Sequence, residues 1–222
     1  MKLLLTSAGI KNPSIEAALL DLLGKPIAEC DALAIPTASY GHHSFAGAWR
    51  FIAGAESRCP MTELGWKSMG NLELTALSSL DRERWVPLVE AADVLLVNGG
   101  DAMYLPHWMR QSGLADLLPS LDAVWVGLSA GSMAMTPRIG EDFMQWQPPS
   151  GGDETLGIVG FSIFPHLDHP DLDNSMAEAE RWAAELGLPA YAIDDETAIK
   201  WVDGDVEVVS EGHWKLFEPL VN

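Results

Sequence analysis

The sequence predicts an α/β protein whose strands and helices alternate around a mainly parallel sheet. Short apolar runs of strand-forming residues recur along the chain, and segments with helical spacing of apolar residues separate them. The run Val94–Val97 is apolar throughout, which is typical of a strand in the middle of a parallel sheet. Near the C-terminus, alternating runs flank Asp203 and Gly204, and this pattern predicts an antiparallel hairpin at one edge of the sheet.

The first half of the chain begins with a predicted strand at residues 3–6. Asn12 and Pro13 then supply the cap and first residue of a helix that Gly24 ends. A second strand is predicted at 32–36, because this run is again apolar. The elements that follow are a loop at 40–43, a helix with Phe45, Trp49 and Ile52 on one face, a strand at 72–77 and a helix at 81–90.

The second half continues this alternation with a helix at 103–109 and a strand at 124–128. Residues 137–154 are rich in glycine, proline and acidic side chains, which predicts a surface loop. A loop of this length in a compact domain often forms a lid or a binding loop. The remaining predicted elements are strands at 161–164 and 191–193, a helix at 173–186, and the hairpin strands at 198–201 and 206–209.

The segment Gly127-Leu128-Ser129-Ala130-Gly131 closes an apolar strand and precedes small, helix-compatible residues. This context is that of a nucleophile elbow, a sharp turn that exposes a serine. Glycine on either side of Ser129 avoids clashes of a Cβ atom with the adjacent strand and helix. The Ala130 amide would lie unpaired at a helix start, where it is placed to hold an oxyanion.

A Gly-Gly turn follows the buried strand Val94–Val97. Parallel strands end at the same edge of the sheet, so Gly99 and Gly100 are predicted to lie near Ser129. The amide of either glycine would supply a second hydrogen bond to an oxyanion. An ordinary tight turn is the structural alternative.

Composition and net charge predict a single domain and argue against binding to nucleic acids or anionic membranes. The chain has 222 residues, 48% of them hydrophobic, so it can bury one sizeable core, and we expect a single domain over residues 1–222. Its 32 acidic and 13 basic side chains leave a formal charge of −19, which would repel nucleic acids and anionic membrane surfaces. Cys30 and Cys59 form no metal-binding or disulfide pattern, so we expect reduced thiols in a cytoplasmic protein.

His166 comes directly after the predicted strand at 161–164, where it is placed to act as a general base. A metal site formed by His166, Asp168 and His169 is an alternative. The histidine spacing argues against it, because only a helix dependably places residues three apart on one side. We therefore expect no metal ion.

The elbow at Ser129, the turn at Gly99 and Gly100, and the pair Pro165-His166 together resemble the peptidase E family of serine peptidases. That family includes aspartyl dipeptidases and is related to cyanophycinases. The resemblance extends from the first strand to residues 194–196. It implies a three-layer α/β/α sandwich similar to that of class I glutamine amidotransferases. We expect a small peptide as substrate, because the loop at 137–154 would restrict entry to the elbow, and the mechanism needs no cofactor.

The resemblance also implies site residues. Ser129 would be the nucleophile, His166 the base, and Gly99 and Gly100 part of the oxyanion hole together with Ala130. The acid of the triad is predicted in one of two places, since it has only to orient the imidazole and stabilise its protonated form. The candidates are Glu141 or Asp142 after the elbow helix and Asp195 or Glu196 at the later strand end, and the prediction favours Asp142.

The sequence departs from the family pattern at the expected substrate contacts. Asp101 stands where the dipeptidases commonly have asparagine. Glu178 aligns with the basic residue that holds an acidic substrate side chain, and a carboxylate there would repel an N-terminal aspartate. Arg181 would serve instead if the alignment is shifted by one helical turn, so the Asp-X specificity does not transfer directly.

Two other functions are alternatives to a serine peptidase. An α/β-hydrolase esterase has the same elbow but takes its base from near the C-terminus, which would be His213. A non-catalytic module could keep the fold and bind a small amide or peptide in the pocket. The sequence does not determine whether the chain forms a homo-oligomer.

Overall fold

The computed structural model describes residues 1–42, 46–55 and 58–219. Its strands are β1 (Lys2–Thr6), β2 (Asp31–Ile35), β3 (Ser68–Asn71), β4 (Val94–Val97), β5 (Val124–Leu128), β6 (Ser162–Phe164), β7 (Ala190–Ile193), β8 (Thr197–Val202), β9 (Asp205–Ser210) and β10 (Trp214–Phe217). Its α-helices are α1 (Pro13–Leu23), α2 (Ala38–Gly41), α3 (Ala46–Ile52), α4 (Leu74–Leu77), α5 (Arg82–Glu90), α6 (Tyr104–Ser112), α7 (Leu114–Leu117), α8 (Ala130–Met133) and α9 (Met176–Leu186). None of the helices in these described ranges has the length and apolar character that crossing a membrane requires.

The central sheet has seven strands in the order β3-β2-β4-β5-β1-β8-β9. The strands from β3 to β1 in this order are parallel, and β8 and β9 are antiparallel at one edge. The predicted α/β class and antiparallel C-terminal edge are thereby confirmed. Because β4, β5 and β1 are neighbours, the turns after Val97, Leu128 and Thr6 lie side by side at the carboxyl edge of the sheet.

Successive side chains of the central strands face two separate hydrophobic layers. Leu3 and Leu5 pack in one buried cluster with α4 to α8, whereas Leu4 packs in the other with α1 and α3. This arrangement produces the three layers of an α/β/α sandwich. Burial of each such leucine contributes roughly 1.5–3 kcal/mol, so the two layers fix the sheet between them.

A second sheet contains β10, β7 and β6 in that order, and the sequence pattern does not predict it. β6 and β7 are parallel, with Phe164 opposite Ala192, and β10 pairs antiparallel with β7. The helix α9 covers this sheet through Trp182 and Ala183, which are buried in one cluster with Phe164. The parallel pairing brings the residues that follow β6 and β7 to the same end of the small sheet.

The strand predicted at 72–77 is wrong, because α4 occupies most of this segment. Glu73 caps that helix, and its side chain accepts a backbone hydrogen bond at 3.1 Å. Leu74 and Leu77 are both buried, and their spacing of three residues suits one face of a helix rather than one face of a strand.

The predicted loop at 40–43 is also partly helical, since α2 extends to Gly41. His43 and Phe45, which belong to the loop and helix predicted here, lie outside the described residues.

Candidate active site

Ser129 occupies the sharp turn between β5 and α8. Its φ of 49° and ψ of −108° lie outside the regions that residues other than glycine normally adopt, so this residue is strained. Glycines permit the turn on both sides. A Cβ atom on Gly127 would lie 2.5 Å from the Gly131 carbonyl oxygen, and one on Gly131 would lie 2.5 Å from the Val97 carbonyl oxygen.

Ser129 lines a cavity of about 520 Å³ at the carboxyl edge of the central sheet. This volume falls within the roughly 300–1,000 Å³ that is usual for small-molecule sites. The predicted site residues that line the cavity are Gly99, Gly100, Asp101, Ser129, Asp142 and His166. The turns after β4, β5 and β6 therefore contribute to one concave surface.

His166 follows β6 after Pro165 and has a positive φ of 56°. Its Nδ1 atom lies 2.7 Å from Oδ1 of Asp195, which follows β7. The parallel pairing of β6 with β7 brings the two residues together. A carboxylate at Nδ1 favours the tautomer in which Nε2 is free to accept a proton.

Asp195 is held in its ionised form. Burial raises the pKa of its carboxyl group, but hydrogen bonds from His166 and Ser7 and the nearby charges of His166 and His169 outweigh burial, so the pKa lies below its usual value. Asp195 is therefore negatively charged near neutral pH. Because the pKa of Asp195 is lower in the folded state, its ionised carboxylate stabilises the folded protein above the usual carboxyl pKa. This stabilisation is lost as the pH falls through the lowered pKa.

Ser7 contacts both of these residues, although no sequence motif identifies it. Its buried hydroxyl accepts a hydrogen bond from the His166 backbone amide at 2.7 Å and donates one to Asp195 Oδ1 at 3.1 Å. The same oxygen lies 3.4 Å from Nδ1 of His166. Because β1 and β5 are parallel neighbours, Ser7 leaves the central sheet beside Ser129, and this adjacency is the signal that could have identified it.

Ser129 and His166 face the same cavity without direct contact. Across the described ranges, no hydrogen bond joins the Ser129 hydroxyl to the imidazole of His166. Hydrogen bonds between reacting groups are often long in free enzymes and tighten when substrate binds. The separation in the free chain therefore does not exclude proton transfer between them.

The amides of Gly100 and Ala130 have no acceptor within the described part of the chain. The Gly99 amide instead donates to the side chain of Asn98 at 2.9 Å. Gly100 has a φ of 141°, and a Cβ atom there would lie 2.4 Å from a backbone carbonyl, so only glycine fits. A Cβ atom on Gly99 would lie 3.4 Å from that of Ser129, so the two turns meet.

The other carboxylates considered for the triad acid lie apart from the imidazole of His166 in the described structure. Asp142, which the prediction favours, is exposed and pairs with Arg181 at 3.2 Å. Glu196 accepts a hydrogen bond from an asparagine side chain at 3.1 Å. Glu141 is exposed in a short 3₁₀ turn. Geometry therefore associates the imidazole with the later strand end rather than with the segment after the elbow.

Asp101 is buried and organises the cavity wall. Its Oδ1 atom accepts the backbone amides of Met103 and Tyr104 at 2.9 and 2.7 Å, which caps the start of α6. Its Oδ2 atom accepts the Trp146 amide at 2.7 Å and so ties down the segment that carries Asp142. Both carboxylate oxygens accept hydrogen bonds from the protein itself, and the contact of Asp101 with substrate stays a prediction.

Glu178 and Arg181 are not among the residues that line the cavity. Glu178 forms a capping box with Ser175 at the exposed start of α9. Arg181 pairs with Asp142 and Glu185 on the surface. In the free chain these contacts occupy both side chains, and a role for either in substrate binding stays a prediction.

Of the alternative metal ligands, His166 and His169 both lie near Asp195, whereas Asp168 contacts His213. His169 Nε2 is 3.9 Å from Asp195 Oδ2. His169 Nδ1 accepts the Asp171 amide at 3.2 Å, and Asp168 lies 2.9 Å from His213 Nε2. Within the described ranges, no group of three or more histidine, cysteine, aspartate or glutamate side chains is arranged to hold a metal ion.

His213 is the base required by the esterase alternative, but it is not among the residues that line the cavity. Its two ring nitrogens each lie 2.9 Å from a carboxylate oxygen, one of Asp168 and one of Asp194. The imidazole therefore bridges two loops. Its position gives it no access to Ser129.

The model of peptidase family S51 matches residues 3–209 of this chain, which is nearly its whole length. No curated protein sequence matches the chain significantly.

Two solved structures are similar to the chain, each with a TM-score of 0.67. The first, from Listeria monocytogenes EGD-e, is provisionally named a peptidase E protein and is 16% identical; the match covers 95% of this chain and 98% of that one. The second is a peptidase from an acI-B1 Actinobacterium that is 19% identical, with 99% and 95% covered. At these identities the likeness shows a shared fold.

Proposed function

Because the chain belongs to peptidase family S51 and is therefore a peptidase, we propose that it is a serine peptidase acting on short peptides through Ser129, His166 and Asp195. The observation that carries this proposal is the 2.7 Å contact between His166 and Asp195 beside the cavity that Ser129 lines. Asp195 thereby replaces Asp142 as the acid. An ionised carboxylate at Nδ1 is what an imidazole needs in order to act as a base at Nε2.

The reaction begins when the Ser129 oxygen attacks the carbonyl carbon of the peptide bond and its proton passes to Nε2 of His166. Asp195 stabilises the imidazolium that forms, since the carboxylate lies at the opposite nitrogen. His166 then gives this proton to the leaving amine as the C–N bond breaks. Water attacks the acyl-enzyme, His166 takes the proton of the water, and the proton returns to Ser129 as the acid product leaves.

The negative charge on the carbonyl oxygen is stabilised by the amides of Gly100 and Ala130. Both lack an acceptor in the described chain, and Ala130 is the first residue of a helix, where the backbone dipoles favour an anion. One such hydrogen-bond donor typically raises kcat by a factor of about 10²–10³. The Gly99 amide is assigned no part, because the Asn98 side chain occupies it.

Short peptides fit this site better than long chains. Asp142 and Phe143 line the cavity, and Asp101 holds the segment after them through the Trp146 amide. This segment bounds one side of a cavity of about 520 Å³, a volume that suits a small ligand.

A peptide panel tests the proposal. We expect the protein to release free amino acids from several dipeptides and tripeptides, to cleave an unstructured peptide of twenty residues at least about tenfold more slowly, and to retain its rate with a chelator. Mass spectrometry of the products measures all three. Failure to cleave any peptide, loss of activity with the chelator, or turnover of simple esters alone would contradict a serine peptidase.

Ser7 is a positioning residue in this mechanism, since it contacts both His166 and Asp195. We expect Ser7→Ala to lower kcat by about 10²-fold with little change in KM, because small misplacement of a catalytic group is costly. Loss of its hydrogen bond to Asp195 raises the pKa of that carboxyl group, so the acid limb of the pH–rate profile moves to higher pH.

Ser112→Ala is the matched control for this variant. Ser112 is also a buried serine, and its hydroxyl donates to a backbone carbonyl at the end of α6, away from the cavity. The Ser112→Ala variant loses a comparable hydrogen bond, and we expect its kcat and pH–rate profile to match those of the wild type. An unchanged pH profile in Ser7→Ala, with a melting temperature lowered as in the control, would mean that Ser7 is merely structural.

A further inference from the structure

The cavity contains a cation that the hydrolytic steps do not use. Arg50, on α3, is exposed and lines the cavity, and its guanidinium carbon lies 5.7 Å from the centroid of the Trp49 ring. Within the described residues, no carboxylate is at ion-pair distance from Arg50. No sequence motif identifies Arg50, because an isolated arginine has no pattern around it.

Neither of the described carboxylates that line the cavity, Asp101 and Asp142, forms an ion pair with Arg50. Both oxygens of Asp101 accept backbone amides, and Asp142 pairs with Arg181 at 3.2 Å. Among the described residues that line the cavity, Arg50 is the one lysine or arginine. Although the protein has a formal charge of −19, Arg50 therefore has no carboxylate partner among the described residues, and it lines the same cavity as Ser129.

Peptide length determines which groups reach this guanidinium. Each extended residue spans at most about 3.6 Å, so a dipeptide must place its C-terminal carboxylate in the cavity that holds its scissile bond. A carboxylate held there without a cationic partner would bind less well, because removing an unpaired charge from water is unfavourable. The planar guanidinium donates two parallel hydrogen bonds to a carboxylate, and the Trp49 ring beside it restricts its orientation.

We propose that Arg50 binds a carboxylate of the substrate and so selects short peptides that carry this group close to the scissile bond. This inference deepens the serine peptidase function proposed above and rests on it. The carboxylate has two chemical sources, the C-terminus of the peptide and the side chain of an acidic residue. Arg50 supplies the basic contact that neither Glu178 nor Arg181 makes.

The test compares matched peptides and matched variants. One pair of dipeptides differs only in a C-terminal carboxylate or amide, and a second pair only in an N-terminal aspartate or asparagine. The variants are Arg50→Gln, which removes the charge, and Arg50→Lys, which keeps it without the planar fork. Arg82→Gln is the control, since Arg82 also lies over a tryptophan, Trp85, at 5.3 Å but does not line the cavity.

We expect Arg50→Gln to raise KM about tenfold or more for the peptide with the recognised carboxylate, and to leave kcat and the matched uncharged peptide nearly unchanged. Arg50→Lys should have a smaller effect on KM, and Arg82→Gln none. If KM rises only for the carboxylate member of the first pair, Arg50 binds the C-terminal carboxylate of the peptide. If KM rises only for the aspartate member of the second pair, Arg50 binds the acidic side chain. Equal changes for charged and uncharged peptides would overturn the proposal.

A binding measurement tests the role of Arg50 independently of the proposed hydrolysis. Calorimetry with Ser129→Ala, which cannot form an acyl-enzyme, measures affinity for the same four peptides without turnover. Tighter binding of the carboxylate peptide, abolished by adding Arg50→Gln, supports the role of Arg50 even if the wild type hydrolyses none of them. Equal binding of charged and uncharged peptides, or no binding, would contradict that role even if hydrolysis occurs.

Discussion

Ser129→Ala is expected to lower kcat by about 10⁴- to 10⁶-fold on every peptide that the wild-type protein cleaves. The reason is that no acyl-enzyme can form without the hydroxyl, and the residual rate then comes from the oxyanion-hole amides and from binding. KM should change little, since the hydroxyl contributes more to the transition state than to the bound substrate. Steady-state kinetics with the best peptide of the panel measures both quantities.

The folding control for this variant is thermal unfolding. Alanine at position 129 keeps the strained φ of 49°, and no hydrogen bond of the Ser129 hydroxyl is seen among the described residues. We therefore expect a melting temperature close to that of the wild type. A Ser129→Ala protein that is folded and still cleaves peptides at more than about one tenth of the normal rate would exclude Ser129 as the nucleophile.

Asp195→Asn is expected to lower kcat by about 10⁴-fold, the second largest effect. The amide can still contact Nδ1 of His166, but it carries no charge to stabilise the imidazolium, and it favours the wrong tautomer when its N–H₂ group faces the ring. The matched variants are Asp142→Asn and Glu196→Gln, which remove the other charges considered for this role. Kinetics over a range of pH compares all three.

The matched variants should keep kcat within about tenfold of the wild type, because the pair of Asp142 with Arg181 is exposed and such surface pairs contribute little. A large loss in Asp142→Asn with a small one in Asp195→Asn would reverse the assignment of the acid. Comparable losses in both would mean that the segment after the elbow moves onto His166 when substrate binds.

The proposed nucleophile and base could be predicted from the sequence because their signals are local. A glycine on each side of Ser129 and a histidine directly after a strand at 161–164 are visible in a few consecutive residues. The acid could not be chosen in this way. Its contact with His166 depends on the parallel pairing of β6 with β7, which places Phe164 opposite Ala192 and so sets Asp195 beside His166.

The errors in the fold have a similar origin. The run at 72–77 satisfies both a strand and a short helix, and the burial of Leu74 and Leu77 on one face decides for the helix. The pairing of β6, β7 and β10 into a small sheet is not predicted from the sequence, because long stretches of chain separate these strands. Ser7 and Arg50 have no motif of their own. Their roles follow from which strands are neighbours and which helices line the cavity.

The proposed triad is divided between the two sheets. Ser129 follows β5 of the central sheet, His166 follows β6 of the small sheet, and Asp195 lies on the connection from β7 to β8 between them. During synthesis, the segment with Ser129 leaves the ribosome well before Asp195 is made. A nascent chain therefore carries the proposed nucleophile before its acid–base partners are complete, and the proposed triad cannot act until Asp195 has been added.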